Sequence, residues 1–188
     1  RLLAFLAPLM QFSAAFIASA VEDFNRANDS AGLVVPILLI PGGLAFAIWP
    51  VIFISYCMLG FYQLKKKYLH DPRFVTGRPY IFFSCLGNVI WFYGDVQYIL
   101  WVCTIGFLMM LYSLLKLNNT FHLGQKSSSI QERWFIKFPI SLFFGWITVA
   151  FPIGITLLLV SDFGISGRAF LTPEIWSTII LTISISIF

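Results

Sequence analysis

The sequence predicts an all-α integral membrane protein, and three observations carry that reading. Apolar residues make up 59% of the chain and charged residues 11%, whereas soluble domains carry about a quarter charged residues. Two segments, Phe46–Gln63 and Pro139–Val160, are each long enough to cross a bilayer. Each holds a tryptophan within the apolar run, Trp49 in one and Trp146 in the other. Hydrocarbon offers no acceptor for an indole N–H, so a tryptophan at that depth packs against another helix or faces a cavity.

Six apolar stretches follow in order: about 2–20, 44–64, 79–94, 98–117, 138–160 and 173–188. The first resembles a signal sequence in length, but polar Val21-Glu-Asp-Phe-Asn-Arg-Ala-Asn-Asp29 follows it rather than a small-residue cleavage site, so it reads as a retained helix. The third is short for a span. The turn Gly94-Asp95-Val96-Gln97 joins it closely to the fourth, which makes those two helices antiparallel neighbours. Asn118–Ser129 is polar and reads as a solvated loop, and the sixth stretch runs off the end of the sequence. The chain opens on Arg1 rather than Met, so it is expected to be a piece of a longer protein. At 188 residues it reads as a single polytopic membrane domain.

The loop charges test this layout. The successive connections hold 1, 5, 0, 4 and 1 Lys or Arg after Arg1. Strict alternation is what six crossings give with both termini on the positive-inside face. The net charge of +4 therefore reflects topology, and no basic stripe with interleaved aromatics suggests nucleic acid.

Within the spans, Phe46, Trp49, Phe53 and Cys57 lie on roughly one helical face. Pro50 removes one backbone bond and predicts a kink, which either borders a cavity or is packed. Asn88 and Trp91 fall three residues apart on the third span, and a buried amide there needs a partner helix or a ligand. In the fifth span Trp146 follows Gly145, Ala150 and Gly154 form a small-xxx-small pair that permits close helix approach, and Pro152 predicts a bend. Two stretches, Leu59–Lys65 and Leu108–Lys116, match a loose sterol-contact pattern of apolar residue, Tyr and base. An interfacial tyrosine followed by a snorkelling lysine explains both.

Catalytic chemistry finds little support. His70 and His122 are in loops and far apart, and Cys57, Cys85 and Cys103 have no metal-ligand spacing. No confident span interior holds an Asp, Glu, Lys or Arg, which argues against charged channel rings and proton relays. The chain is expected not to be an enzyme.

Three strings appear in order on separate spans: Pro41-Gly-Gly-Leu-Ala-Phe46-Ala-Ile-Trp49, Asn88-x-x-Trp91, and Pro139-Ile-Ser-Leu-Phe-Phe-Gly145-Trp146-Ile-Thr-Val-Ala150. In these the chain resembles the tryptophan-rich sensory proteins, related to the translocator protein (peripheral benzodiazepine receptor) family, over roughly residues 2–160. The resemblance implies a five-helix bundle, often dimeric, with a pocket for porphyrins, sterols or similar planar molecules. The stretch at 173–188 is then an additional sixth span. Carried over by position, the pocket residues are Trp49, Asn88, Trp91, Trp146 and Ala150, with Phe46 on the face of Trp49. The chain departs from the family pattern at Pro50, where Gly is common, at Pro152, and at Gly154, where Asn is common. No tryptophan lies between residues 21 and 43, where bacterial members carry one over the pocket.

Two functions follow as expectations. One is binding or moving a tetrapyrrole, sterol or carotenoid in a tryptophan-lined pocket bounded by the second, third and fifth spans. The other is a non-catalytic accessory subunit of a large photosynthetic or respiratory membrane complex, favoured by the 21 phenylalanines and the reduced pocket polarity. The expected partners are the lipid membrane, a small apolar ligand, and a second copy or a larger complex, in a plastid, mitochondrial or bacterial inner membrane.

Overall fold

The computed structural model describes residues 1–28, 43–126, 129–161 and 182. The described residues form five long helices and no strand: α1 (Leu2–Asn28), α2 (Ile48–Tyr62), α3 (Pro72–Val96), α4 (Leu100–Phe121) and α5 (Phe138–Ser161). Four helical segments are long and apolar enough to cross a membrane: Leu2–Val21, Ala45–Tyr62, Leu100–Phe121 and Ile130–Leu159. The sixth span expected at 173–188 lies outside the described residues apart from Thr182, as does most of the 21–43 loop.

The helices form a closed ring. α1 packs on α2 and α3, α3 on α4, α4 on α5, and α5 on α2. α1 turns small residues inward (Ala4, Ala7 and Ala18) and exposes Leu2, Leu6, Phe12 and Phe16. Small inward residues let backbones approach closely, and large outward ones suit lipid. Pro8 has no N–H for the carbonyl of Ala4, four residues earlier. Gln63 at the end of α2 fills that role, its Nε2 donating to the Ala4 carbonyl at 3.0 Å.

The most intimate seam is between α3 and α4. The backbones meet at Gly87 and Gly106: a Cβ on Gly106 would lie 2.6 Å from the Gly87 carbonyl oxygen and 2.8 Å from the Trp91 nitrogen. The sequence singled out Ala150 and Gly154 for close approach instead. At Gly154 the neighbour is an aromatic ring, with a Cβ there falling 2.6 Å from Cε2 of Phe107.

Several boundaries differ from the expectation. α3 starts seven residues before the predicted span, because Asp71 caps it by accepting from the Arg73 N–H at 2.9 Å and Pro72 occupies its first turn. Its first turns are polar, so hydropathy reads them as loop. Gly94–Val96 are helical, and the chain reverses at Gln97–Ile99. There Ile99 N–H bonds the Gly94 carbonyl at 2.8 Å while Tyr98 takes φ 57°, a left-handed cap usually given to glycine. α4 continues to Phe121, shortening the loop expected at 118–129. Pro50 does not sit mid-helix: Gly43–Ala47 form a 3-10 turn and α2 begins at Ile48, so the missing N–H falls in the first turn, where it needs no helical partner. Before α5 the chain is already helical, with one turn at Ile130–Glu132 and a wide π turn at Arg133–Lys137.

The two basic loops meet at one end of the ring. Arg73 bonds Asp71 at 3.0 Å and Glu132 at 2.6 Å, tying the α2–α3 connection to the approach to α5. Arg78 donates to the carbonyls of Tyr68 (3.0 Å) and Leu69 (3.3 Å), and Arg1 also reaches the Leu69 carbonyl at 3.2 Å. Lys137 Nζ donates to the carbonyls of His122 and Gln125 at 2.8 and 2.7 Å. Burial works to raise the Asp71 carboxyl, but the hydrogen bonds and charge of Arg73 overcome it and hold the group below its ordinary range. The bond to Asp71 correspondingly raises Arg73.

Candidate functional site: an aromatic cavity at the far end of the ring

Away from the basic end, the five helices line a half-open cavity of about 1000 Å³. Every long helix contributes: Phe12 and Phe16 from α1, Trp49 and Phe53 from α2, Trp91 and Phe92 from α3, Cys103 and Phe107 from α4, and Trp146, Ala150 and Gly154 from α5. Phe46, on the turn leading into α2, completes the wall.

Trp49 is the hub of this wall and is only 9% exposed. Its ring stacks on Phe53, one turn along α2, with centroids 5.3 Å apart and planes at 23°. Across the ring of helices it stacks on Trp91 at 6.0 Å and 29°. Trp146 meets it edge-on at 5.8 Å and 74°, and Phe46 in turn meets Trp146 edge-on at 6.0 Å. Trp91 reaches Phe107 of α4 at 5.7 Å. Offset and edge-on pairs of this kind contribute about 0.5–1.5 kcal/mol each beyond burial. The wall is therefore held by ring contacts.

Five of the six residues singled out from the sequence line the cavity: Phe46, Trp49, Trp91, Trp146 and Ala150. Asn88 does not. It is fully buried one helical turn toward the basic end, and neither of its amide atoms has a hydrogen-bond partner among the described residues. The buried Gln11 amide and Tyr56 hydroxyl are likewise without one. Cys57, on the predicted face, also lies off the cavity.

The sequence missed the contributions of α1 and α4. Phe12 and Phe16 are four apart on a helix read only as a retained span, so their common face was a usable signal. Phe107 had none, because its role depends on Gly154 lying opposite. The ring of Phe107 fills the space a side chain at 154 would need, which accounts for glycine where the resemblance suggests asparagine. As a result Ser19, Asp95 and Cys103 are the polar or thiol side chains among the described lining residues, beside the indoles.

The first sterol-contact stretch is not open to a ligand through its tyrosine. Tyr62 is buried, bonded to the Tyr68 hydroxyl at 2.9 Å and stacked on Phe135 at 4.9 Å. In the second stretch Tyr112 is exposed, with Lys116 Nζ 5.4 Å from its ring centre.

Compared with known families, the chain matches the one described as TSPO-like protein over residues 2–188. It belongs to the TSPO-like protein family. The match runs on through residue 188, past the roughly 160 at which the resemblance in the sequence ends. No curated protein and no solved structure matches the chain. Family membership and the apolar helices together make this TSPO-like protein an integral membrane protein.

Proposed function

We propose that this TSPO-like protein binds or moves a planar apolar ligand, a tetrapyrrole, sterol or carotenoid, in the aromatic cavity and does no chemistry on it. The observation that carries the reading is the convergence of Trp49, Trp91 and Trp146 on one cavity of about 1000 Å³. That volume is at the upper end for small-molecule sites, which are mostly apolar with few polar groups. Flat rings suit walls made of stacked and edge-on indoles. In this reading the basic end faces the positive-inside side of the membrane and the cavity lies toward the other face.

Ala150→Phe tests the reading, because it fills the cavity without removing any of the rings that build it. Titrated with a dicarboxylic porphyrin or a fluorescent sterol, the wild type is expected to show saturable tryptophan quenching. The variant should bind at least about tenfold more weakly, a loss of about 1.4 kcal/mol. Identical titrations would place the ligand elsewhere. Native mass spectrometry after mild extraction separates this from the accessory-subunit reading: a monomer or dimer with a bound adduct supports binding, and a large assembly of fixed stoichiometry opposes it.

A further inference from the structure

A second recess lies on the outside of the ring, at the basic end. It holds about 400 Å³ between α2 and the helical approach to α5. Met58, Ile130, Trp134, Phe135 and Phe138 form its walls, with Ser55 at its floor. The Ser55 hydroxyl donates to the Ile52 carbonyl at 2.9 Å, and Gln131 is the other polar residue of an otherwise apolar lining. The wide turn at Arg133–Lys137 shapes it. Ile136 and Lys137 turn inward, while Trp134 is 52% exposed and packs on Phe138 at 5.3 Å.

Bases border this groove without lining it. Phe135 stacks on Tyr62, and Lys65 Nζ lies 4.3 Å from the centre of the Tyr62 ring and 5.9 Å from that of Phe135. Arg133 is exposed on the same turn as Trp134, and Lys66 and Lys67 are exposed beside Lys65. The neighbouring bases Arg73, Arg78 and Lys137 are bonded within the protein. An apolar trough thus lies beside a group of exposed bases, and Trp134 on its wall is of the residue type that anchors at membrane interfaces.

The geometry points to a binding site for one anionic phospholipid, with an acyl chain in the groove and the phosphate at Lys65 and Arg133. Charge complementarity decides the occupant. A zwitterionic lipid gains the same apolar contact but less from these bases, and a juxtamembrane base adds about fivefold in affinity for anionic lipid. This site is separate from the aromatic cavity, and its test does not depend on what the cavity holds.

The full chain is loaded in micelles with equimolar phosphatidylglycerol and phosphatidylcholine of identical chains, and retained lipid is read by native mass spectrometry. Phosphatidylglycerol adducts are expected to dominate. Lys65→Gln and Arg133→Gln should each lower that preference about fivefold, while Lys126→Gln, equally basic but away from the groove, should leave it unchanged. Equal retention of the two lipids overturns the proposal. So does a preference that survives both substitutions, or one that Lys126→Gln lowers as much, which would indicate a diffuse field. A second arm needs no charge variant. Phosphatidylglycerol brominated on its chains should quench emission more than the brominated choline lipid, and Trp134→Phe should abolish the excess. Quenching that Trp134→Phe leaves intact would place the lipid elsewhere.

Discussion

At the basic end of the ring, Arg73 joins Asp71 to Glu132, Arg78 and Arg1 converge on the Leu69 carbonyl, and Gln63 completes the helix bond that Pro8 removes. At the cavity end, the contacts that define the wall are between rings, centred on Trp49. The same helices therefore begin in a polar, directional lattice and finish in an aromatic shell. Hydrogen bonds and ion pairs are directional and fix one geometry between the elements they join. Ring contacts tolerate a cavity because each is worth a modest amount and none is left unsatisfied when a neighbour is missing. Anchoring is thus concentrated where the chain is polar, and the cavity between the helices lies where it is not.

The largest effect should come from the seam both ends share. Gly106→Val places side-chain atoms against the Gly87 carbonyl and the Trp91 nitrogen, which are backbone and cannot swing aside. We expect a loss of about 3 kcal/mol, at the upper end for overpacking, read as a fall in thermal midpoint in detergent. Since Trp91 rides on that seam, porphyrin quenching should fall with it. Retained stability would mean that α3 and α4 are less closely apposed than described.

Gln63→Leu sharpens the contrast between the ends. It strands the buried Ala4 carbonyl and should cost about 1–3 kcal/mol while leaving ligand titration unchanged. Should binding weaken in step with stability, the two ends would not be independent.

The smallest effect concerns pH. The folded Asp71 carboxyl titrates below its ordinary range, so its charge stabilises the protein above that range and the contribution is lost as pH falls through the lowered value. Asp71→Asn keeps a competent helix cap but removes the charge. At neutral pH it should be less stable by at most about 1 kcal/mol, and on acidification the gap to wild type should close. A gap that persists at low pH would assign the effect to capping rather than to charge.

Much of the site was legible in advance because a tryptophan inside an apolar run has few acceptable surroundings. That argument found Trp49 and Trp146, the strings around them added Phe46 and Ala150, and the Asn88-x-x-Trp91 string added Trp91. Asn88 lies behind the wall, because three residues on a helix turn the side chain by about 60° and set it a turn deeper, enough to move it from the lining into the packed interior. The early start of α3 was hidden by its arginines, since hydropathy cannot tell a polar helix turn at the interface from a loop.

What the sequence determined by itself was local: apolar runs of spanning length, the tight connection between α3 and α4, the basic loops, and the aromatic faces. These follow from hydropathy, helical period and charge, which are carried by neighbours in the chain. Tertiary structure alone decided that α1 lies against α3, that α5 closes the ring on α2, and that Phe107 fills the space beside Gly154. It also decided that the Gln63 amide reaches the Ala4 carbonyl freed by Pro8. Each of these depends on which surfaces interlock across long stretches of chain, a property of shape that no residue carries alone.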